Sequence, residues 1–139
     1  MTVGTPSPGT EATPSRGIRV LLVDDSAAMR RALSQWLVQS FPIHIAGQAE
    51  NGGEALALAG QLDPDLCITD LFMPVMDGFR LVKLLRQRHP TVRSIVISVY
   101  DVPALHQACV ESGADAFIPK QRLADELPGQ LTRLFADAA

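Results

Sequence analysis

Cysteine is nearly absent from this sequence. Cys67 and Cys109 are the only two among 139 residues. Both lie in apolar surroundings without a second Cys or His at metal-ligand spacing, so two buried free thiols are expected rather than a disulfide or a zinc site. A reducing, cytoplasmic compartment fits that reading. A basic surplus is also missing: 12 Lys and Arg against 15 Asp and Glu leave a net charge of −3. No electrostatic excess draws the chain to nucleic acid or anionic lipid, and no nucleic-acid binding is expected of this chain alone. No stretch reaches the roughly 20 apolar residues of a membrane helix, and the N-terminus has no charged segment leading into an apolar run, so neither membrane insertion nor export is expected. There is no G-x-x-x-x-G-K-[ST] loop, no G-x-S-x-G elbow and no G-x-G-x-x-G fingerprint, which removes support for nucleotide hydrolysis, acyl transfer and dinucleotide binding.

What is present suffices for one packed core, since 47% of the residues are hydrophobic in a chain too short for two domains. Residues 1–17, MTVGTPSPGTEATPSRG, hold Pro6, Pro8 and Pro14 among Gly, Ser and Thr and read as a disordered tail ahead of a domain over 18–139. From Ile18, five short β-rich runs alternate with segments of helical period, the pattern of a parallel sheet covered on both faces. The expected strands are Arg19–Val23, Ile43–Gln48, Asp65–Thr69, Ser94–Ser98 and Ala116–Ile118. Ser26 is placed to cap the first helix, where Met29, Leu33, Trp36 and Leu37 make one stripe and Arg30 and Arg31 face outward. Gly113 is expected to end the fourth helix. Asp125 is expected to cap the fifth, with Pro128 in its first turn and Leu127, Leu131, Leu134 and Phe135 as its stripe.

In an open α/β sheet, ligands collect at the carboxyl ends of the strands. Here the first strand runs into Asp24 and Asp25, the third into Asp70 and the fourth into Ser98, and Lys120 follows the fifth. Each has a plain alternative as a turn, cap or solvated residue. Together they point to a site, because like charges roughly 5 Å apart repel by about 3 kcal/mol at an effective dielectric of 20 unless a cation lies among them. With oxygen ligands and room for water, Mg²⁺ is the expected occupant. A carboxylate beside Mg²⁺, with a hydroxyl and an ammonium aimed at the same point, suits acceptance of a phosphoryl group. Proton-transfer catalysis finds no histidine at a strand end, since His44, His89 and His106 lie elsewhere.

The segments LLVDDS, ITDLFMPVMDGF, VISVYD and SGADAFIPK resemble, in order and spacing, the four blocks of response-regulator receiver domains, over roughly Arg19 to Leu134. SVYD and GADAFIPK look most like receivers that precede helix-turn-helix output domains. The resemblance implies a flavodoxin-like, doubly wound five-stranded sheet of order 2-1-3-4-5 flanked by five helices. It implies a phosphorylation-dependent switch of two-component or phosphorelay signalling rather than a turnover enzyme. Asp70 would be the phosphoacceptor; Asp25, Asp24, Asp70 and the backbone carbonyl of Phe72 would hold Mg²⁺. Ser98 and Lys120 would bind the phosphoryl group, Phe117 would report phosphorylation through its rotamer, and Pro74 and Gly78 would shape the loop after Asp70.

Three positions depart from the common family pattern. Val99 stands where Ala or Gly is frequent and narrows the approach to Asp70. Gln121 follows Lys120 where proline across a cis bond is frequent, and a non-proline cis bond costs roughly 3–4 kcal/mol, so Lys120 is expected to be held differently. Phe117 replaces a commoner Tyr and loses its hydroxyl. The implied partners are a sensor histidine kinase or phosphotransfer protein and a downstream protein, with the receiver a monomer or a phosphorylation-dependent dimer. No output domain is read in these residues. Two other classes stay open at this point. A constitutive interaction module would not need the full set of Asp24, Asp25, Asp70, Ser98 and Lys120. A haloacid-dehalogenase-like phosphatase would want an acid where Phe72 stands.

Overall fold

The computed structural model describes residues 17–136; the expected tail therefore lies, but for Gly17, outside the described residues. Five parallel strands are β1 (Ile18–Val23), β2 (Ile43–Ala49), β3 (Leu66–Asp70), β4 (Arg93–Ser98) and β5 (Ala116–Pro119). They line up in the order β2-β1-β3-β4-β5, as the resemblance implies. Between and after them run α1 (Ala27–Ser40), α2 (Gly52–Leu62), α3 (Gly78–Arg88), α4 (Pro103–Ser112) and α5 (Leu123–Leu134).

The continuous apolar runs of β1 and β4 follow from burial on both faces. Val20 and Leu22 turn to one side, where Leu37 of α1 and Leu127 and Leu131 of α5 close over Ile68, Ile95 and Ile97. Leu21 and Val23 turn to the other, against Ala55 and Ala59 of α2 and Leu81 and Leu85 of α3. A smaller cluster joins Val82, Val96, Cys109 and Phe117 between α3 and α4. Edge strand β2 exposes His44 and Gln48. Its register with β1 slips between Val20 and Leu21, which pair with Ile45 and Gly47 and leave Ala46 unmatched, a bulge of the kind that blunts a sheet edge.

Helix starts follow local chemistry. Ser26 Oγ accepts from the Met29 amide at 3.1 Å, as its position suggests. Asn51 Oδ1 accepts from Glu54 N at 2.8 Å while Glu54 Oε1 accepts from Glu50 N at 2.7 Å, and Asp77 Oδ1 accepts from Arg80 N at 2.8 Å; each meets an amide the helix leaves unpaired. Gly113 ends α4 at φ 86°, a left-handed conformation that glycine adopts without a Cβ clash. The expected start of α5 is corrected. The helix begins at Leu123, directly after a 3-10 turn over Lys120–Arg122, so Asp125 lies within the first turn without capping it and Pro128 lies inside the helix. The 3-10 turn supplies the entry that a side-chain cap would otherwise provide, and Leu123, one turn before Leu127 and ahead of Asp125, is buried. The expected stripe holds, with Leu127, Leu131 and Leu134 buried and Phe135 packed against them.

Cys67 and Cys109 are buried free thiols. Burial pushes the Cys67 thiol up to about 12; burial, with Asp115 adding to it, pushes Cys109 up to about 11. Thiolate is the reactive form, so a disulfide-exchange reagent at pH 8 is expected to label neither cysteine in native buffer and both in denaturing urea. Rapid stoichiometric labelling of the native protein would contradict this packing.

Candidate functional site

Strand β1 lies between β2 and β3, so the chain leaves it in opposite directions on its two sides. A crevice opens at such a switch point beyond the carboxyl ends of the strands. Asp24 and Asp25 follow β1 and Asp70 ends β3. One carboxylate oxygen from each lies within 4.8 Å of the others, with Asp24 buried, Asp25 exposed and Asp70 between those extremes. Lys120, just past β5, reaches across the sheet edge and places Nζ 3.3 Å from Asp70 Oδ1 and 3.5 Å from Asp24 Oδ2. The chain holds no cis peptide bond among the described residues. Lys120 thus meets both carboxylates while opening the 3-10 turn with Gln121.

Asp24 is held at several points. Its Oδ1 accepts from Ser26 N at 2.9 Å, and its backbone carbonyl accepts from Arg30 Nη1. Arg30 is half-buried. The expectation that it faces outward is therefore corrected: from the first turn of α1, six residues after Asp24, its long side chain folds back to satisfy the carbonyl just past the end of β1. Asp24 Oδ2 is buried and lacks a hydrogen-bond partner. A buried carboxylate oxygen with no hydrogen bond, and only the Lys120 ammonium at 3.5 Å for a polar neighbour, is costly in a protein interior. Beside two further carboxylates, the donor set is all oxygen and partly open to solvent, which fits a hard divalent cation.

Asp70 is fixed from behind. The Leu71 amide donates to Ile97 O at 2.9 Å, Gly78 N donates to Leu71 O at 2.8 Å, and Thr69 Oγ1 donates to the Asp70 carbonyl at 2.9 Å. A Cβ on Gly78 would stand 2.6 Å from the Asp70 carbonyl oxygen and 3.1 Å from Leu71 Cα, so only glycine lets α3 start against the end of β3. Between them, Met76 N donates to Pro74 O at 2.7 Å across Val75, which has φ 71° and is fully exposed. A β-branched residue at the centre of such a tight three-residue turn is strained.

Ser98 is fully buried at the end of β4, and its Oγ accepts from Tyr100 N at 3.1 Å. Val99, at 58% exposure, continues past the strand into solvent, so it does not pack into the sheet. Phe72 and Tyr100 stand edge to face with ring centres 5.5 Å apart. Phe117 is buried on β5 in register with Val96, on the sheet face that also carries Ser98. The Phe72–Tyr100 pair, between loops that only the fold brings together, and the local return of Arg30 to the Asp24 carbonyl have no signature in the sequence.

Burial raises Asp70 above its ordinary value; Lys120 opposes this and the negative charge of Asp24 adds to it, with the net shift upward. A carboxyl whose folded value is raised keeps its proton longer in the folded state than in the unfolded chain. Stability is then lost as pH rises from the unfolded value through the folded one. Without divalent cations, Asp70→Asn is expected to raise the urea midpoint at pH 7 and to flatten its fall between pH 4 and 7. An unchanged midpoint and slope would mean that the site does not strain this carboxylate.

The description "Response regulator receiver domain" matches residues 20–132. A protein-glutamate methylesterase/protein-glutamine glutaminase of Methanosarcina mazei is 44% identical over 105 residues, covering 74% of this chain and 29% of that protein. The transcriptional regulatory protein YdfI of Bacillus subtilis is 33% identical over 109 residues, 78% of this chain and 51% of that one. The nitrate/nitrite response regulator NarL of Escherichia coli K12 is 32% identical over 108 residues, 78% of this chain and 50% of that one. The chain thus spans between about a third and a half of these relatives. Among solved structures, the response regulator domain of Thermotoga maritima CheB superposes with a TM-score of 0.76 at 31% identity, covering 86% of this chain and 96% of that one. A chain of the CheX–CheY–BeF₃–Mg²⁺ complex of Borrelia burgdorferi gives 0.77 at 25%, covering 89% and 98%. By its sequence blocks, its sheet order and the acidic crevice between β1 and β3, this chain belongs to the response regulator receiver domains, the phosphorylation switches of two-component signalling.

Proposed function

We propose that Asp70 is the phosphoacceptor of this receiver and that Asp24, Asp25 and Asp70, with the backbone carbonyl of Phe72, hold the Mg²⁺ it requires. The observation that carries this reading is the convergence of three carboxylates and Lys120 at one sheet edge, with a buried Asp24 oxygen left without a hydrogen bond. Bound there, Mg²⁺ would neutralise charge building on the transferring phosphoryl oxygens. An Asp70 carboxylate oxygen attacks phosphorus in line, the bond from phosphorus to the donor's nitrogen or oxygen breaks, and the leaving group departs with that electron pair. Lys120, already 3.3 Å from Asp70, balances negative charge on the phosphoryl oxygens. The Ser98 hydroxyl, one residue beyond the β-partner of Asp70, donates to one of them. The product is an aspartyl phosphate that this same site later hydrolyses, so the chain takes part in its own phosphotransfer and dephosphorylation without acting on a separate substrate.

The donor is a sensor histidine kinase or phosphotransfer protein, and the signal passes to a downstream protein or to an effector domain. The longer chains of the relatives, of which this region is 29% and 51%, support the arrangement with an effector domain. Among the described residues, no helix is long and apolar enough to cross a membrane, and the two free thiols suit a cytoplasmic setting. Neither specific nucleic-acid binding by this chain alone nor a resident membrane anchor is part of this reading. Monomer and phosphorylation-dependent dimer are both compatible with it.

With Mg²⁺ and acetyl phosphate, the protein is expected to gain one hydroxylamine-sensitive phosphoryl group and Asp70→Asn none; undiminished labelling of that variant would falsify the assignment. Asp25→Ala is expected to weaken Mg²⁺ binding and slow labelling with it, and unchanged Mg²⁺ affinity would place the ion elsewhere. Specific DNA binding by the chain alone, read by a salt-resistant gel shift, would overturn the reading of its charge.

Val99 generates a separate expectation. Reactivity depends on reacting atoms held about 3–3.5 Å apart along the line of attack, and valine is stiff about χ1. Val99→Ala is expected to speed labelling by acetyl phosphate and shorten the lifetime of the phosphorylated form. Because Val99 is 58% exposed, the urea midpoint should stay nearly constant. Unchanged rates on that variant would remove Val99 as a gate.

A further inference from the structure

Phe117 carries one neighbour that the phosphoacceptor site does not require. The His106 ring, on α4, stands at 73° to the Phe117 ring with centres 4.8 Å apart. Phe79 of α3 flanks the same ring at 6.3 Å. Phe117 is only 8% exposed, whereas the His106 side chain is half-exposed, so His106 roofs the aromatic from the solvent side. Its Nε2 is 2.7 Å from Asp101 Oδ1. Asp101 lies in the loop between β4 and α4, one residue after Tyr100, whose amide donates to the Ser98 hydroxyl. A continuous set of contacts therefore runs from Ser98 through Tyr100 and Asp101 to His106 and Phe117.

We propose that His106 is a positioning residue: held by Asp101, it fixes the buried position of Phe117 and makes that position follow the loop that begins at Ser98. This rests on the reading of Asp70 and Ser98 as the phosphoryl site. Phe117 is in backbone register with Val96, two residues before Ser98. Small movement of Ser98 toward a phosphoryl group pulls on the Tyr100 amide and shifts Asp101. Without the Asp101–His106 pair, that displacement has no polar route to the ring. The apolar packing of Phe117 against its cluster, which includes Val96 on the strand that ends in Ser98, positions the ring without a polar contact to the hydroxyl. An exposed pair contributes modestly, which suits a switch element that must give way when the site is filled.

The test uses the full chain with Mg²⁺ and beryllofluoride, reading the Ser98 amide and the Phe117 ring by NMR in the wild type, His106→Ala and Asp101→Asn. Asp101→Asn leaves the ring contact in place and loosens only the pair; urea midpoints for all three show whether each variant is folded. In the wild type both signals should shift. In either variant the Ser98 shift should persist while the Phe117 shift falls to less than half, and Asp101→Glu should restore it. A full Phe117 response in both folded variants overturns the role of His106. Absence of any Ser98 shift in the wild type overturns the phosphoryl-site reading itself, and the role of His106 with it.

Discussion

Three carboxylates share one crevice with a single ammonium, and the rest of the molecule is arranged around that imbalance. Lys120 meets Asp24 and Asp70 at 3.5 and 3.3 Å, yet one positive charge cannot balance three negative ones in a partly buried site. Burial and Asp24 still leave Asp70 displaced upward. Relaxation by moving apart is blocked. The Asp70 backbone is held by β4 through Leu71 and crowded by Gly78 at the start of α3. Asp24 is tied by Ser26 and by the return of Arg30. The strain is thus stored electrostatically, in a form that a divalent cation would relieve.

The sheet makes such confinement possible because its two apolar faces are independently filled. Alternate residues of β1 lock into α1 and α5 on one side and into α2 and α3 on the other, which leaves the strand ends little freedom to drift. Irregularity is displaced to the rim. Val75 adopts its left-handed conformation in the loop between Asp70 and α3, and Gly52 at the start of α2 lies so close to Met76 that a Cβ there would overlap its sulfur. Strained loops on a rigid scaffold are a common place for binding and switching.

Relatives as different in name as a protein-glutamate methylesterase and the regulators YdfI and NarL share this portion of their chains. What they share is the sheet and its edge. On the proposed reading, Phe117 with its roof of His106 would connect that edge to the outer surface.

Much of this was legible in the residue order. Periodicity located all five strands and the α1 stripe, and the placement of Asp24, Asp25, Asp70, Ser98 and Lys120 at strand ends located the crevice, because strand alternation and helix period are local properties of the chain. The start of α5 was not legible. Asp125 and Pro128 together mimic a cap and first turn, whereas the buried positions of Leu123 and Leu127 draw the helix three residues further back, an effect of packing that no local signal carries. Nor did the sequence show that Arg30 turns inward, that Val99 stands clear of the sheet, or that His106 pairs with Asp101 over Phe117. Residue types and their spacing determined which groups reach the edge of the sheet. Only the tertiary structure decided which of them touch, since Lys120, Asp70 and Asp24 lie far apart in the chain and their distances are set by how the strands pair and the helices pack on the sheet.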